Sequence, residues 1–386
     1  MHIGFALLTL FPGRVGGSES LVQGLLGEFA RGNGPERLTA LVNSFGARGY
    51  ADYAGGNVSI HAVRSYRAGD RPLTRLAGMT AARLAPRIAA RDVPRGFDLI
   101  HHPLTVPIPR LDGVPVVTTL HDLQHHELPA FFSRPERQFR KWAYDDAARS
   151  ADAVITVSNH ARERAVALLG LEPERVHAVP LGIDHARFHP SPTAADERLG
   201  ERLPERFVVY PANLWPHKNH DRLLDALGRV GDPDLALVLT GQEYGRGERL
   251  RAVARRAGVE GRLLHLGYLE PEEMPALYRA ATAMVFPSLY EGFGAPPLEA
   301  MACGCPVTSS TYGSLSETIG HAALTMDAGS SESIALAIER VTGDGELRER
   351  LRSSGLERAA GFTWAAAAGR HRAIYERTAA TSSASC

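Results

Sequence analysis

Cysteine is scarce in this sequence, at three residues in 386: Cys303, Cys305 and Cys386. So few thiols build no disulfide framework, and they fit a reducing compartment. Cys303-x-Cys305 has no second cysteine pair to complete a zinc site and reads as small-residue packing. Net charge is also missing, because 43 lysines and arginines balance 43 aspartates and glutamates. No global field therefore marks a nucleic-acid partner, although local patches stay open. Long apolar runs are absent too: nothing approaches the roughly 18 uninterrupted apolar residues of a membrane span. The first ten residues are apolar but have no basic start and no small-residue cleavage site, so they read as a first strand and not as a signal peptide. There is no short-period repeat, and low complexity is confined to the serine-rich last residues.

What the sequence does contain is ordinary globular composition, 44% hydrophobic and 22% charged. Its length suits two or three domains of about 100–200 residues each. Apolar runs of strand length alternate with helical patterns of roughly 10–15 residues through both halves, which predicts parallel α/β sheets. Ile3–Leu10, Leu38–Val42, Val58–Val63, Val114–Leu120 and Ala151–Val157 are such runs in the first half. Phe207–Tyr210, Leu235–Thr240, Arg262–Leu269, Ala283–Phe286 and Pro306–Ser310 are their counterparts in the second. Residues 186–204, rich in proline and polar residues, read as a linker between two domains.

The most informative stretch is Pro287–Val307. The short apolar run Ala283–Phe286 leads into Gly292, Gly294, Pro296 and Pro297, which force a tight turn, and Pro297 suits the first position of a helix. Glu291 then sits on a loop at the carboxyl end of a strand, and Glu299 in the first turn of the next helix. In an open α/β sheet that crevice is where ligands bind. A carboxylate accepts through two oxygens and can take both hydroxyls of a vicinal diol. Two of them, with seven residues between, can hold a sugar and a ribose. The backbone N–H groups of the glycine turn and helix start favour the phosphates that would lie between. A sugar, a diphosphate and a ribose make a nucleotide-sugar. The plainer reading is a solvated turn residue and an acid placed for the helix dipole, and spacing alone leaves both open.

Glu291-x7-Glu299, with Pro-Ser-x-Tyr-Glu-Gly-Phe-Gly before it and Glu-Ala-Met-Ala-Cys-Gly-Cys-Pro-Val after it, resembles the motif of the retaining glycosyltransferases of family 4 (GT4). The resemblance implies the GT-B fold: two Rossmann-like, doubly wound parallel-sheet domains facing across a cleft. It implies that Glu291 contacts the transferred sugar and Glu299 the nucleotide ribose, with Gly292, Phe293, Gly294 and Ala295 along the donor. The family's Leu-Pro after the second glycine is Ala295-Pro296 here. Pro216-His217-Lys218-Asn219 resembles the family's diphosphate loop, which makes Lys218 the phosphate lysine and Asn213 a donor neighbour. Many members add an arginine in this loop; Ala212, Asn213 and His217 stand there instead, leaving His217 or Arg14 as substitutes. A diphosphate of charge about −2 brought towards two carboxylates requires such cations. Gly267 and Tyr268, at the end of a strand, correspond to main-chain contacts with the nucleotide base.

In the first half, Gly16 and Gly17 follow the first strand and precede a helix that Ser18 could cap. This is a weak anion-site signal on its own, but the resemblance places it against phosphates or acceptor. Pro-Val-Val-Thr-Thr-Leu-His121-Asp122-Leu is similar to the Thr-x-His-Asp-Leu segment of mannosyltransferase-like members, where the histidine lies by sugar and acceptor. His121-Asp122-x-x-His125-His126 also has metal-like spacing, but the resemblance implies no metal and no cofactor for the transfer. Arg75, Arg83, Arg87 and Arg91, beside Leu76, Leu84 and Ile88, form a basic amphipathic helix broken near Pro86. Such a helix is ordinarily a solvated face; the alternative is contact with anionic lipid or a lipid-phosphate acceptor. Phe131–Lys141 is a packed surface helix or an acceptor-facing one.

The expectation is therefore an enzyme, a retaining, metal-independent hexosyltransferase that moves a sugar, foremost mannose from GDP-mannose, to a hydroxyl of a glycan or lipid-linked acceptor. Its setting would be polysaccharide or glycolipid synthesis in the cytoplasm, with peripheral contact at the inner membrane face and no nucleic acid. The expected domains are 1–185 for acceptor, 186–204 as linker, 205–361 for donor, and 362–380 as a terminal helix returning to the first domain. A UDP- or dTDP-sugar donor is the first rival, and a non-catalytic nucleotide-sugar-binding protein the rival of another class. An epimerase on the same fold would need other acids, a phosphorylase a pyridoxal lysine, and an NAD oxidoreductase a G-x-G-x-x-G after the first strand.

Overall fold

A computed structural model describes residues 1–10, 16–32, 34–44, 47–66 and 72–384. It divides into two units, Met1–Gly182 with Trp364–Cys386, and Ile183–Thr363.

The first unit is a seven-stranded parallel sheet of β1 (His2–Leu7), β2 (Arg37–Asn43), β3 (Val58–Val63), β4 (Leu99–His102), β5 (Val116–Leu120), β6 (Ala153–Thr156) and β7 (Val176–Ala178), in the order β3-β2-β1-β4-β5-β6-β7. The strands are near-continuous apolar runs because helices cover both faces of a parallel sheet. Leu7, Leu41, Ile100 and Leu120 are fully buried. The order reverses between β1 and β4, which opens a crevice at their carboxyl ends. The first strand ends earlier than its apolar run, at Leu7, where the chain turns.

The last helix, Trp364–Ala384, belongs to this unit. Its anchor is steric and aromatic. A Cβ on Gly24, in the helix Gly16–Arg31, would lie 2.1 Å from the Trp364 ring, so only glycine fits there. Tyr375 stacks on Phe29 and its hydroxyl meets His101 Nδ1 at 2.8 Å. Arg372 closes an ion pair with the buried Glu36, 336 positions away in sequence.

The second unit repeats the plan with β8 (Phe207–Pro211), β9 (Ala236–Thr240), β10 (Leu263–His265), β11 (Ala283–Phe286), β12 (Val307–Ser309) and β13 (Leu324–Thr325), all parallel and ordered β10-β9-β8-β11-β12-β13. Here the order reverses between β8 and β11. Residues 186–204 are not a free linker but part of this unit. They carry the helix Ala194–Gly200, started by a Thr193/Asp196 capping box. Asp196 is gripped by Arg279 through two bonds, Nε–Oδ1 at 2.8 Å and Nη2–Oδ2 at 2.6 Å, and that grip holds its carboxyl down at about 2. Proline and polar content mark a chain that leaves regular structure, and they do not register a long-range ion pair.

The basic segment is two helices, Pro72–Leu84 and Pro86–Ala89, split where proline removes a backbone donor. The side chains of Arg75 and Arg83 lie outside the described residues. Leu84 and Ile88 are 82% and 66% exposed.

Candidate functional site

The site grows from the strand reversal of the second unit. β8 and β11 are neighbours in the sheet, so the loops that leave their carboxyl ends meet. After β8 the chain makes a short turn at Pro216–Lys218 and starts the helix His220–Arg229. Asn219 joins the two in the left-handed conformation at φ 63°, which asparagine tolerates better than most residues. Its side-chain amide donates to Pro287 O at 3.1 Å and Ala328 O at 2.8 Å. Leu289 N donates to His217 O at 2.8 Å, and the buried Tyr210 hydroxyl donates to Lys218 O at 2.7 Å and lies 3.0 Å from Ser288 Oγ. The lysine loop is thus stitched to the acidic loop by several bonds.

At the centre, Lys218 Nζ lies 2.5 Å from Glu291 Oε1, with the two side chains only 16% and 12% exposed. An ammonium and a carboxylate this far from water attract each other more strongly than a surface pair would. The negative Glu291 and burial together push the Tyr210 phenol well above its usual range, burial contributing more. The Glu291 backbone is fixed as well. Its carbonyl accepts from Ser314 N and Oγ, both at 3.1 Å. Gly313 (φ +65°) permits this approach, since a Cβ there would sit 2.6 Å from that oxygen.

Gly292, Phe293 and Gly294 then lead into the helix Ala295–Ala302, two residues earlier than a start at Pro297. Gly294 (φ +90°) is its N-cap, where a Cβ would strike Leu315 at 2.6 Å, and no side chain caps the helix. Pro296 and Pro297 lack N–H groups, so the donors of this helix start are few and come from the glycine turn and Ala295. Glu299 faces Tyr278, whose hydroxyl donates to Oε2 at 3.2 Å. Burial raises its pKa, while Arg187 and the tyrosine bond pull the other way.

Asn213 and Gly267 meet around Gly241, at the carboxyl ends of β8, β9 and β10. Gly241 N donates to Gly267 O at 2.7 Å, and Asn213 Oδ1 accepts from Gln242 N at 2.7 Å. Asn213 therefore works as a staple between loops. Tyr268 stands exposed beside them.

Glu291, Glu299, Lys218, Gly292–Ala295, Asn213, Gly267 and Tyr268 thus all belong to the second unit, on the loops and helix starts that follow its strands. Gly16, Gly17 and His121 belong to the first. Gly16 and Gly17 open the helix Gly16–Arg31 after β1. His121 follows β5, and its Nε2 lies 2.7 Å from Pro103 O. A carbonyl only accepts, so Nε2 carries the proton and Nδ1 keeps its lone pair. Burial lowers the pKa of this imidazole and keeps it neutral, against the raising effect of the Pro103 bond and of Asp122. Arg14 lies outside the described residues.

Sequence reasoning missed the buried network of Tyr210, Ser288 and Ser310, of which Tyr210 and Ser310 read as strand-end residues and Ser288 as part of the loop. It also missed Arg222, which donates to Asn219 Oδ1 at 3.0 Å one helical turn beyond Lys218. A third omission is the stack of Trp215 on Tyr244, with centroids 4.6 Å apart. Tyr244 is left-handed at φ 46°, a strained state for a bulky residue, and no local signal announces it.

Comparison with known proteins identifies the family. Residues 193–358 match the family model described as glycosyl transferases group 1, and residues 15–187 the one described as glycosyltransferase family 4. O-antigen chain mannosyltransferase B of Escherichia coli is 30% identical over 69% of this chain and 71% of its own. D-inositol 3-phosphate glycosyltransferase of Acidothermus cellulolyticus is 32% identical over 75% of this chain and 68% of its own. The crystal structure of Anabaena HepE with UDP and glucose superposes with a TM-score of 0.74 at 20% identity, covering 98% of this chain and 100% of that one, a likeness that bears on fold alone. Paired doubly wound sheets, an acidic loop at a strand reversal and sequence matches across both halves lead to one assignment: the chain belongs to the family 4 glycosyltransferases and has the GT-B fold.

Proposed function

We propose that this glycosyltransferase moves mannose from GDP-mannose to a hydroxyl of a glycan or lipid-linked acceptor, with retention of configuration and without a metal. The observation that carries the reading is the Lys218–Glu291 pair, held 2.5 Å apart where β8 and β11 part. Without a ligand the two charges neutralise each other. An arriving diphosphate competes for Lys218 and releases the Glu291 carboxylate to accept from sugar hydroxyls. The bond from the anomeric carbon to the phosphate oxygen breaks, and charge grows on the diphosphate, where Lys218 and the N–H groups of the Gly292–Ala295 turn stabilise it. The acceptor oxygen bonds to the same face of that carbon, and its proton passes to the departing phosphate oxygen. Glu299 takes the ribose hydroxyls, and Arg222 offers the second cation that the loop itself lacks. His121, neutral with its lone pair on Nδ1, orients sugar and acceptor. Mannose is favoured by the His121-Asp122-Leu123 segment and by the Escherichia coli relative, whose name specifies a mannosyltransferase.

A UDP-sugar is the second reading, because HepE of the same fold was solved with UDP and glucose. A thermal-shift screen against GDP-mannose, UDP-glucose, UDP-N-acetylglucosamine and dTDP-rhamnose decides between them. At about 100 Kd a ligand adds about 2.7 kcal/mol, and GDP-mannose is expected to give the largest shift. A larger shift with a uridine donor would replace the first reading. Binding with no turnover against any hydroxyl acceptor would favour a sensor.

Among the described residues no helix is long and apolar enough to cross a membrane. We place the exposed Leu84 and Ile88, with Arg87 and Arg91, against an anionic leaflet at the cytoplasmic face. Reversing the charge of Arg83, Arg87 and Arg91 is expected to lower sedimentation with phosphatidylglycerol vesicles several-fold at low salt. Equal sedimentation of variant and native protein would refute that contact.

A further inference from the structure

Two adjacent histidines of the first unit aim at one carboxylate. His125 and His126 lie on the short helix Gln124–Glu127, with ring centroids 4.4 Å apart. His125 Nε2 lies 3.0 Å from Asp145 Oδ1, and His126 Nε2 lies 2.9 Å from Asp145 Oδ2. The His125 side chain is fully buried and Asp145 nearly so, whereas His126 keeps 18% exposure. From these three residues we propose a binding site for a divalent transition-metal ion of the zinc class, which clamps the 124–127 helix to the helix that bears Asp145.

Two imidazole nitrogens and one carboxylate oxygen are a ligand set that zinc and its neighbours accept, with a fourth position left for water. The three ligand atoms already lie within 4.8 Å of one another. Bonds of about 2.0–2.1 Å in a tetrahedron require ligand atoms about 3.3 Å apart, so small side-chain rotations suffice to admit the ion. His125 Nδ1 is buried without a partner. It is an unfilled acceptor when Nε2–H donates to Asp145, and an unfilled donor when Nε2 binds an ion.

The backbone supplies an independent sign. Asp145 closes a π-turn, Lys141–Asp145, between the helical stretches Arg134–Arg140 and Asp146–Ser150. A π-turn adds one residue, which rotates the next stretch of helix by about 100°, and such turns gather at functional positions. Here the extra residue comes just where Asp145 is aimed at the two imidazoles. The metal-like spacing of the sequence is resolved accordingly. His125 and His126 converge with Asp145, whereas Asp122 turns to Arg140 (4.0 Å) and His121 to Pro103. The ion takes no part in bond breaking; it would steady the loop that carries His121.

The test uses full-length protein stripped with a chelator and then titrated with Zn²⁺ by calorimetry. One equivalent is expected to bind and to raise the melting temperature. His126→Gln, at the edge of the cluster, is expected to bind at least about tenfold more weakly, with a native circular dichroism spectrum. With Co²⁺ the native protein should show the strong visible absorption of a four-coordinate site. The weak spectrum of the six-coordinate aqua ion would overturn the proposal without reference to any variant. No saturable uptake, or equal uptake by His126→Gln, would overturn it as well, leaving the trio as a hydrogen-bonded cluster.

Discussion

Glu291→Gln and Lys218→Ala are each expected to lower sugar transfer by about 10²–10³-fold, the scale of removing one preorganised charge contact from a transition state. The two substitutions act on different bonds. Glutamine keeps the shape of Glu291 and one acceptor oxygen but removes the charge that holds Lys218 at 2.5 Å. Its effect should fall on kcat if, as proposed, the bonds from the sugar hydroxyls to this carboxylate strengthen as positive charge develops on the sugar. Alanine at 218 removes the cation proposed to meet the diphosphate and leaves a carboxylate at 12% exposure without its partner, so a stability loss of about 1–3 kcal/mol is expected beside the catalytic one. Thermal melts must therefore be run beside the kinetics. In the double variant the effects should be less than additive, since the residues share one contact. Native turnover in either single variant would remove both residues from the mechanism. A loss of turnover that merely tracks unfolding would make the pair structural.

The second large effect concerns acid. Three buried histidines of the first unit, His101, His102 and His371, are neutral. Burial holds His102 and His371 down at about 4 and His101 well below its ordinary value. Burial outweighs the carbonyl bonds of His102 and His371, which by themselves would favour the charged ring. His102 Nε2 donates to Pro109 O at 3.0 Å, His371 Nδ1 donates to Ala367 O at 2.8 Å, and His101 sits between Thr119 Oγ1 and the Tyr375 hydroxyl at 2.8 Å each. The unfolded chain takes up protons near pH 6.5 and the folded one only near 4. Between those values the unfolded state binds more protons, so stability rises with pH and is lost on acidification. Displacement from 6.5 to about 4 is worth about 3 kcal/mol per group, and two such groups approach the whole stability of an ordinary domain. The first unit is expected to unfold before pH reaches 4. His371→Leu, which replaces an unpartnered buried nitrogen, should flatten the dependence of unfolding free energy on pH by about 1.4 kcal/mol per unit in that window. Equal slopes for variant and native protein would show that His371 is not neutral when folded. The two units can unfold separately, so the probe matters: Trp364 and Trp142 report the first and Trp215 the second.

Much of the architecture was determined by the sequence on its own. A strand buried on both faces has to be apolar throughout, so β1, β8, β9 and β11 stand out as unbroken runs. The turn after β11 needs left-handed backbone at Gly294, and glycine there is visible in the letters. The spacing of Glu291 and Glu299 is equally local, one acid on a loop and the other a turn into the helix. These signals need no knowledge of distant residues. Only the tertiary structure could decide which strands are neighbours. β8 and β11 adjoin, and that adjacency brings together Lys218 and Glu291, 73 positions apart. It also lets Asn219 reach Pro287 and Ala328, and gives Arg222 a place beside the loop whose arginine is missing. The same holds for Asp145 and its histidines, and for the 186–204 stretch, which composition marks as a linker and Arg279 ties into the second unit. In each case the deciding interaction joins residues far apart in the chain, while periodicity, propensity and composition carry only what neighbours a few positions away can feel.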